Sequence, residues 1–173
     1  MVQERHEVGP RRFRERFGRV FEEFEVGDVY EHRPGKTVTE YENHLFTLMT
    51  MNHHPLHFDA EYGARTEFGR NLVVSPLTLA LLIGMSVSDV SAKAIANLGM
   101  DEVRFPAPVF AGDTLYAESE VLEKRPSASR PHQGIVTIRT TGRNQKGEVI
   151  CTFRRSVLVP FRGHALEDRI GFY

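Results

Sequence analysis

The chain has 173 residues, with 22 Lys and Arg against 23 Asp and Glu and a formal net charge of −1, so no overall field would gather nucleic acid or an anionic membrane around it. That length suits one domain with core enough to fold unaided, and the single cysteine, Cys151, cannot form an internal disulfide. Within the apolar run VICTF the thiol reads as a packed side chain in a reducing compartment, with the cytoplasm as the expectation, rather than as a nucleophile.

The first residues, MVQERHEVGPRRFRER, are polar and mixed in charge, without the apolar run of a secretory signal. The longest apolar run, LTLALLIGM at 77–85, is too short to span a bilayer, so neither secretion nor membrane insertion is expected. Residues 1–19 read as an arm. Its Arg11, Arg12, Arg14, Arg16 and Arg19 are interspersed or followed by acids, which suits solvent or a second subunit better than phosphates. An early strand falls near 28–38. Thr39 and Glu42 form a capping box, and Leu45, Phe46, Leu48 and Met49 follow at helical spacing, with His54-Pro55 as the expected stop. A second helix is expected over about 59–68 with Asp59 as N-cap. The third has Ser75 as N-cap and Pro76 at its first position, then apolar residues from Leu77 to Val87 on most sides, the pattern of a central helix enclosed by a sheet.

Beyond Gly99 the pattern becomes strand-like in EVRF (102–105), TLYAESEVLEK (114–124), GIVTIRTTGRN (134–144) and VICTFRRSVLV (149–159), with partial alternation and turn residues at 111–113 and 144–147. The expected fold class is α+β, a curved antiparallel sheet wrapped around one long helix.

MNHHPLHFD, residues 51–59, concentrates the chemistry. His53, His54, His57 and Asp59 are zinc-ligand types. Pro55, however, interrupts the helix that would align His53 with His57, and no remote fourth ligand is evident, so no metal is expected. For His57 two readings stand, a buried hydrogen-bonded histidine or a general base. His53 reads as exposed.

The order of elements, VRFPAPVFAGDTLYAESEVLEKR and the NQKGEVICTFRRSVLV hairpin resemble the hot-dog fold, and within it the MaoC-like R-specific enoyl-CoA hydratases. The resemblance implies a domain over 20–160, with a tail over 161–173. In that family the site loop is Gly-Asp-x-Asn-Pro-x-His. Here Pro55 and His57 match, Asn52 stands where the Asp is expected and His54 where the Asn is expected. The resemblance implies a lyase that reversibly hydrates an enoyl-CoA, with no cofactor beyond the substrate's own CoA. It implies a homodimer or higher even oligomer, since hot-dog chains cover their sheet edges by pairing.

It also implies roles. His57 would be the base and later the acid. Asn52, which has no basicity near neutral pH, would hold the water through its carbonyl oxygen. An N–H at Ser75 or Leu77 would stabilise the enolate oxyanion. His54 would brace the loop beside the substrate, and Asp59, Glu61 and Glu67 are the carboxylates near enough to replace the missing acid. The run from LLIGMSVSDV to AESEV, with RPSASRPHQGIV, is similar to the branch that hydrates branched C5-dicarboxyl thioesters such as mesaconyl-CoA and itaconyl-CoA. Such a substrate calls for a cation against its free carboxylate, with Arg65, Arg70 and Arg104 as candidates. Arg125 and Arg130, with Lys124, are candidates for the CoA phosphates. A hot-dog thioesterase and an acyl-CoA-binding subunit without turnover are the alternatives.

Overall fold

The computed structural model describes residues 5–15 and 17–170; Arg16 and the two ends of the chain, which belong to the expected arm and tail, lie outside them. Two short strands, β1 (Arg5–Gly9) and β2 (Arg12–Glu15), pair as a hairpin in the arm. The body begins with β3 (Val29–Thr37) and continues through α1 (Glu40–Met49), α2 (Ala60–Ala64) and α3 (Ser75–Met85). Four long strands follow, β4 (Ala96–Arg104), β5 (Thr114–Pro126), β6 (Gln133–Arg143) and β7 (Val149–Pro160). They pair antiparallel in the order β3-β5-β6-β7-β4. This is the α+β arrangement expected. A last turn of helix, α4 (Leu166–Ile170), folds back on the body through a Lys93–Glu167 ion pair of 2.7 Å.

α3 lies across the concave side of the sheet. Its Leu82 is fully buried, and a Cβ on Gly142 of β6 would come within 2.4 Å of the Leu82 side chain, so only glycine permits so close a crossing. Burying such a leucine contributes about 2–3 kcal/mol. Val74, Leu77, Leu115, Ile150 and Phe153 complete this part of the core. The helix is not enclosed on every side: Ala80 and Gly84 are exposed, so its apolar periphery exceeds what one sheet covers.

Behind the C-terminal end of α3 a buried polar chain links the helix to the sheet. His32 of β3 donates from Nδ1 to Asp89 at 3.0 Å and accepts at Nε2 from the Ser119 hydroxyl at 2.8 Å, and Ser119 meets Thr140 at 2.8 Å. Arg19 closes on Asp89 at 3.0 Å, and Arg155 donates to Ser86 at 2.8 Å. Burial pushes the His32 imidazole below its ordinary pKa, and this outweighs the Asp89 carboxylate beside it. Burial would raise Asp89, but His32 and Arg19 hold it below the usual carboxylate range.

Candidate active site

The site is built from the ends of α1, the turn after it and the start of α3. α1 begins as its capping box requires: Thr39 Oγ1 accepts from the Glu42 N–H at 3.2 Å and Glu42 accepts from the Thr39 N–H at 2.8 Å. Lys36, 2.6 Å away, and the Thr39 N–H pull the Glu42 carboxyl down to about 2. The helix stops five residues before the expected His54-Pro55. Met51 adopts the left-handed conformation, φ +56°, with its N–H on Leu48 O at 3.1 Å and the Asn52 N–H on Thr47 O at 3.0 Å. This paired closure normally uses glycine, and a methionine carries no such signal in the sequence.

The turn then caps itself. The His54 N–H donates to Asn52 Oδ1 at 3.0 Å, which identifies that atom as the oxygen and takes one of its two lone pairs. The other lone pair and the amide NH2 have no protein partner among the described residues. His54 Nδ1 accepts from the Leu56 N–H at 3.2 Å, a bond within the loop. Its ring lies 5.8 Å from that of His57. Pro55–His57 form a single 3-10 turn, and Asp59 caps α2 through the Tyr62 N–H at 3.1 Å. His53 is exposed. Among the described residues no three His, Cys, Asp or Glu side chains converge as metal ligands would.

His57 is half-buried, and its Nδ1 lies 3.1 Å from the carbonyl oxygen of Leu72. A carbonyl only accepts, so Nδ1 carries the proton and Nε2 carries the free lone pair of the neutral ring. The imidazole is therefore held in the tautomer of a base.

One residue that the sequence reading passed over organises this geometry. Asn43, buried in the interior of α1, donates from Nδ2 to the carbonyls of His57 at 2.8 Å and Leu72 at 3.0 Å and accepts at Oδ1 from the Val74 N–H at 2.9 Å. It ties His57, the carbonyl that orients its ring and the entry to α3 to one amide. The available signal was an asparagine, a poor helix former, on the inward face of a helix. Asn71 adds a second staple, donating to the Leu56 and Asp59 carbonyls at 2.9 Å each.

At the head of α3 the expected cap shifts by one residue. The Val74 carbonyl accepts the Leu77 N–H at 2.9 Å and the Thr78 N–H at 3.4 Å, so Val74 is the N-cap and Ser75 the first helical residue. Pro76 has no N–H and that of Leu77 is taken. Ser75 alone of these offers an N–H without an acceptor among the described residues, at the positive end of the helix dipole.

The predicted cations scatter. Arg70 lies two residues before Leu72, with its guanidinium carbon 3.8 Å from the centroid of the Phe110 ring. Arg65 pairs with Glu61 at 4.0 Å on the exposed side of α2. Arg104 is on edge strand β4 and donates to the Val103 carbonyl at 3.0 Å. Arg125 pairs in register with Ile135 near the end of β5 farthest from Thr114, and Arg130 lies in the loop beyond it. His57 belongs to the other end, where Val73 bonds Val109 and Val38 bonds Asp113. The structure thus brings Arg70 to the segments that hold His57 and Ser75, but not Arg125 or Arg130 of the same chain.

Residues 7–170 match the model of the mesaconyl-CoA hydratase family. A mesaconyl-CoA hydratase of Haloarcula marismortui is 36% identical over 152 residues, which is 87% of this chain and 42% of that protein. The chain thus spans less than half the length of that protein and of two other mesaconyl-CoA hydratases it matches. Among solved structures, the R-hydratase PhaJ1 of Pseudomonas aeruginosa superposes with a TM-score of 0.71 at 29% identity, over 83% of this chain and 86% of that one. A Mycobacterium tuberculosis protein with a double hotdog fold superposes with a TM-score of 0.76 at 25% identity, over 83% of this chain and 44% of that one.

Proposed function

The chain belongs to the mesaconyl-CoA hydratase family, with the hot-dog fold, and on that premise we propose that it reversibly adds water across the double bond of an enoyl-CoA thioester, a branched C5-dicarboxyl one such as mesaconyl-CoA being the best fit. The observation that carries the reading is the pairing of His57 Nδ1 with the Leu72 carbonyl, which leaves Nε2 as a base, with Leu72 only three residues before the free N–H of Ser75. Water held by Asn52 gives a proton to His57 Nε2 as its oxygen bonds to the β-carbon. The π electrons move to the thioester oxygen, where the Ser75 N–H stabilises the enolate. The imidazolium then returns a proton to the α-carbon, so water is added with no other reactant and no cofactor beyond CoA. Asp59, the acid closest in sequence to His57, is engaged as a helix cap, which favours hydration over carboxylate-driven thioester cleavage.

A second copy of the chain is the proposed partner. Edge strand β4 exposes Leu98 and Met100, and Ile95 just before it is exposed as well, an edge that pairing would cover. Among the described residues no helix is long and apolar enough to cross a membrane, and the buried free thiol of Cys151 fits the cytoplasm.

The test is a panel of enoyl-CoA substrates including mesaconyl-CoA and crotonyl-CoA, followed by loss of the conjugated enoyl absorbance with a thiol reagent in parallel. Hydration without thiol release is expected. Release of free CoA would replace the reading with a thioesterase, and binding without turnover would replace it with an acyl-CoA-binding subunit.

A further inference from the structure

We propose that Arg70, laid on the face of Phe110, is the residue that recognises the substrate's free carboxylate and so selects dicarboxyl over simple enoyl thioesters. This rests on the hydratase reading above. When a free carboxylate is conjugated with the reacting double bond, it lies only a bond or two from the carbon that water attacks. Its cation must therefore stand on the segments that carry the base and the oxyanion donor.

Arg70 meets that condition. It is two residues from Leu72, so its Cα lies within about 7 Å of the Cα of the residue that orients His57, well within the reach of an arginine side chain. The stretch from Asn71 to Val74 is stitched to the His57 turn by the Leu72 N–H on Leu56 O at 3.1 Å, by Asn71 Nδ2 on the same carbonyl at 2.9 Å and by the contacts of Asn43. Gly63 lets this stretch lie against α2, since a Cβ there would meet the Asn71 nitrogen at 2.8 Å and the Arg70 carbonyl carbon at 2.9 Å. Phe110 follows Val109, whose carbonyl takes the Val73 N–H at 2.8 Å, so the aromatic platform is tied to the same frame.

The chemistry also fits. The guanidinium carbon stands 3.8 Å from the ring centroid, and among the described residues Arg70 has no carboxylate partner. Contact of the cation with the ring face holds the group in place and leaves N–H donors for a carboxylate, the bidentate geometry that arginine supplies and lysine does not.

The competing cations fall away on position or pairing. Arg65 is matched with Glu61, Arg104 is on the sheet edge, and Arg125 and Arg130 are at the far end of the sheet. The buried Arg155 bonds Ser86, eleven residues along from Ser75 and about 16 Å away at the helical rise, too far for one C5 acyl group to bridge.

The experiment compares mesaconyl-CoA, which has the carboxylate, with crotonyl-CoA, which lacks it, for the unmodified chain, Arg70→Gln and Arg70→Lys. kcat/KM is measured by loss of enoyl absorbance and affinity by calorimetry. Arg70→Gln is expected to lower kcat/KM and affinity for mesaconyl-CoA about 100-fold, with crotonyl-CoA changed less than about twofold. Arg70→Lys should recover only part of the loss. Equal losses on both substrates, or none on either, would overturn the inference. If the unmodified chain binds both thioesters and hydrates neither, the hydratase reading fails, and the calorimetric preference in Arg70→Gln still decides whether Arg70 holds the carboxylate.

Discussion

The Nδ1 proton of His57 is given to the carbonyl oxygen of Leu72, 3.1 Å away and fifteen residues along the chain. This one bond chooses the tautomer, and with it the nitrogen that can take a proton from water. Replacing His57 with alanine is expected to lower turnover at least about 100-fold with little change in fold. His57→Gln keeps a donor to Leu72 but has no base and should be as inactive. Steady-state kinetics on the best substrate of the panel, with circular dichroism as the folding control, checks both.

Asn43 provides a test of positioning. Asn43→Ala leaves the Val74 N–H and part of two carbonyls without partners, and a loss of about 2–3 kcal/mol in urea unfolding is expected. Asn43→Asp keeps the acceptor for Val74 but turns a carboxylate oxygen toward two carbonyl oxygens, so it should be no milder than alanine. Both should lower kcat more than they raise KM. An Asn43→Asp variant more stable than Asn43→Ala would contradict the assigned orientation.

Asn52 has one oxygen lone pair on His54 and the other open. Asn52→Asp keeps the acceptor for the His54 N–H and adds basicity, so activity should hold or rise. Asn52→Ala should lose about 10-fold or more and loosen the turn. Paired kinetic and unfolding measurements separate the two effects, and an Asn52→Ala change inert in both would remove Asn52 from the site.

Met51 closes α1 at φ +56°, a conformation that glycine adopts freely. An L side chain in this region is strained by about 1 kcal/mol. Met51→Gly should therefore raise the free energy of urea unfolding only slightly, by at most about 0.5 kcal/mol once the greater freedom of glycine in the unfolded chain is subtracted, and leave kcat in place.

His32, buried beside Asp89, Arg19 and Arg155, has a folded pKa below its ordinary value. In the window between the two values the unfolded chain binds a proton that the folded chain does not, so stability rises with pH and is lost as pH falls below about 6.5. Unfolding free energy should carry a slope of up to about 1.4 kcal/mol per pH unit in that window. His32→Gln should remove this slope, and an unchanged profile would assign the acid sensitivity elsewhere.

The elements, the sheet's strands and the Pro55–His57 core of the loop were legible in the sequence because their causes are local. A capping box, a helix N-cap and an alternating strand each depend on residues a few positions apart, and those at Thr39, Asp59 and β5 formed as their chemistry requires. Beyond β4, which begins at Ala96 rather than near 102, and α2, which ends at Ala64, the boundaries that frame the site moved for equally local reasons that composition conceals. Met51 took a conformation usually left to glycine, and the Val74 carbonyl began α3 one residue early. The site itself was decided only by the tertiary structure. Asn43 reaches His57, Leu72 and Val74 across gaps of 14, 29 and 31 residues, and Arg70 meets Phe110 forty residues on. Such partners are selected by how α1, α3 and the sheet pack, and no local preference records them. The residue types on hand, a histidine after a proline and several candidate arginines, followed from the chain alone. Which nitrogen of His57 keeps a free lone pair, which N–H at α3 lacks an acceptor and which arginine lies beside Phe110 are decided by long-range contacts that exist only once the core has closed.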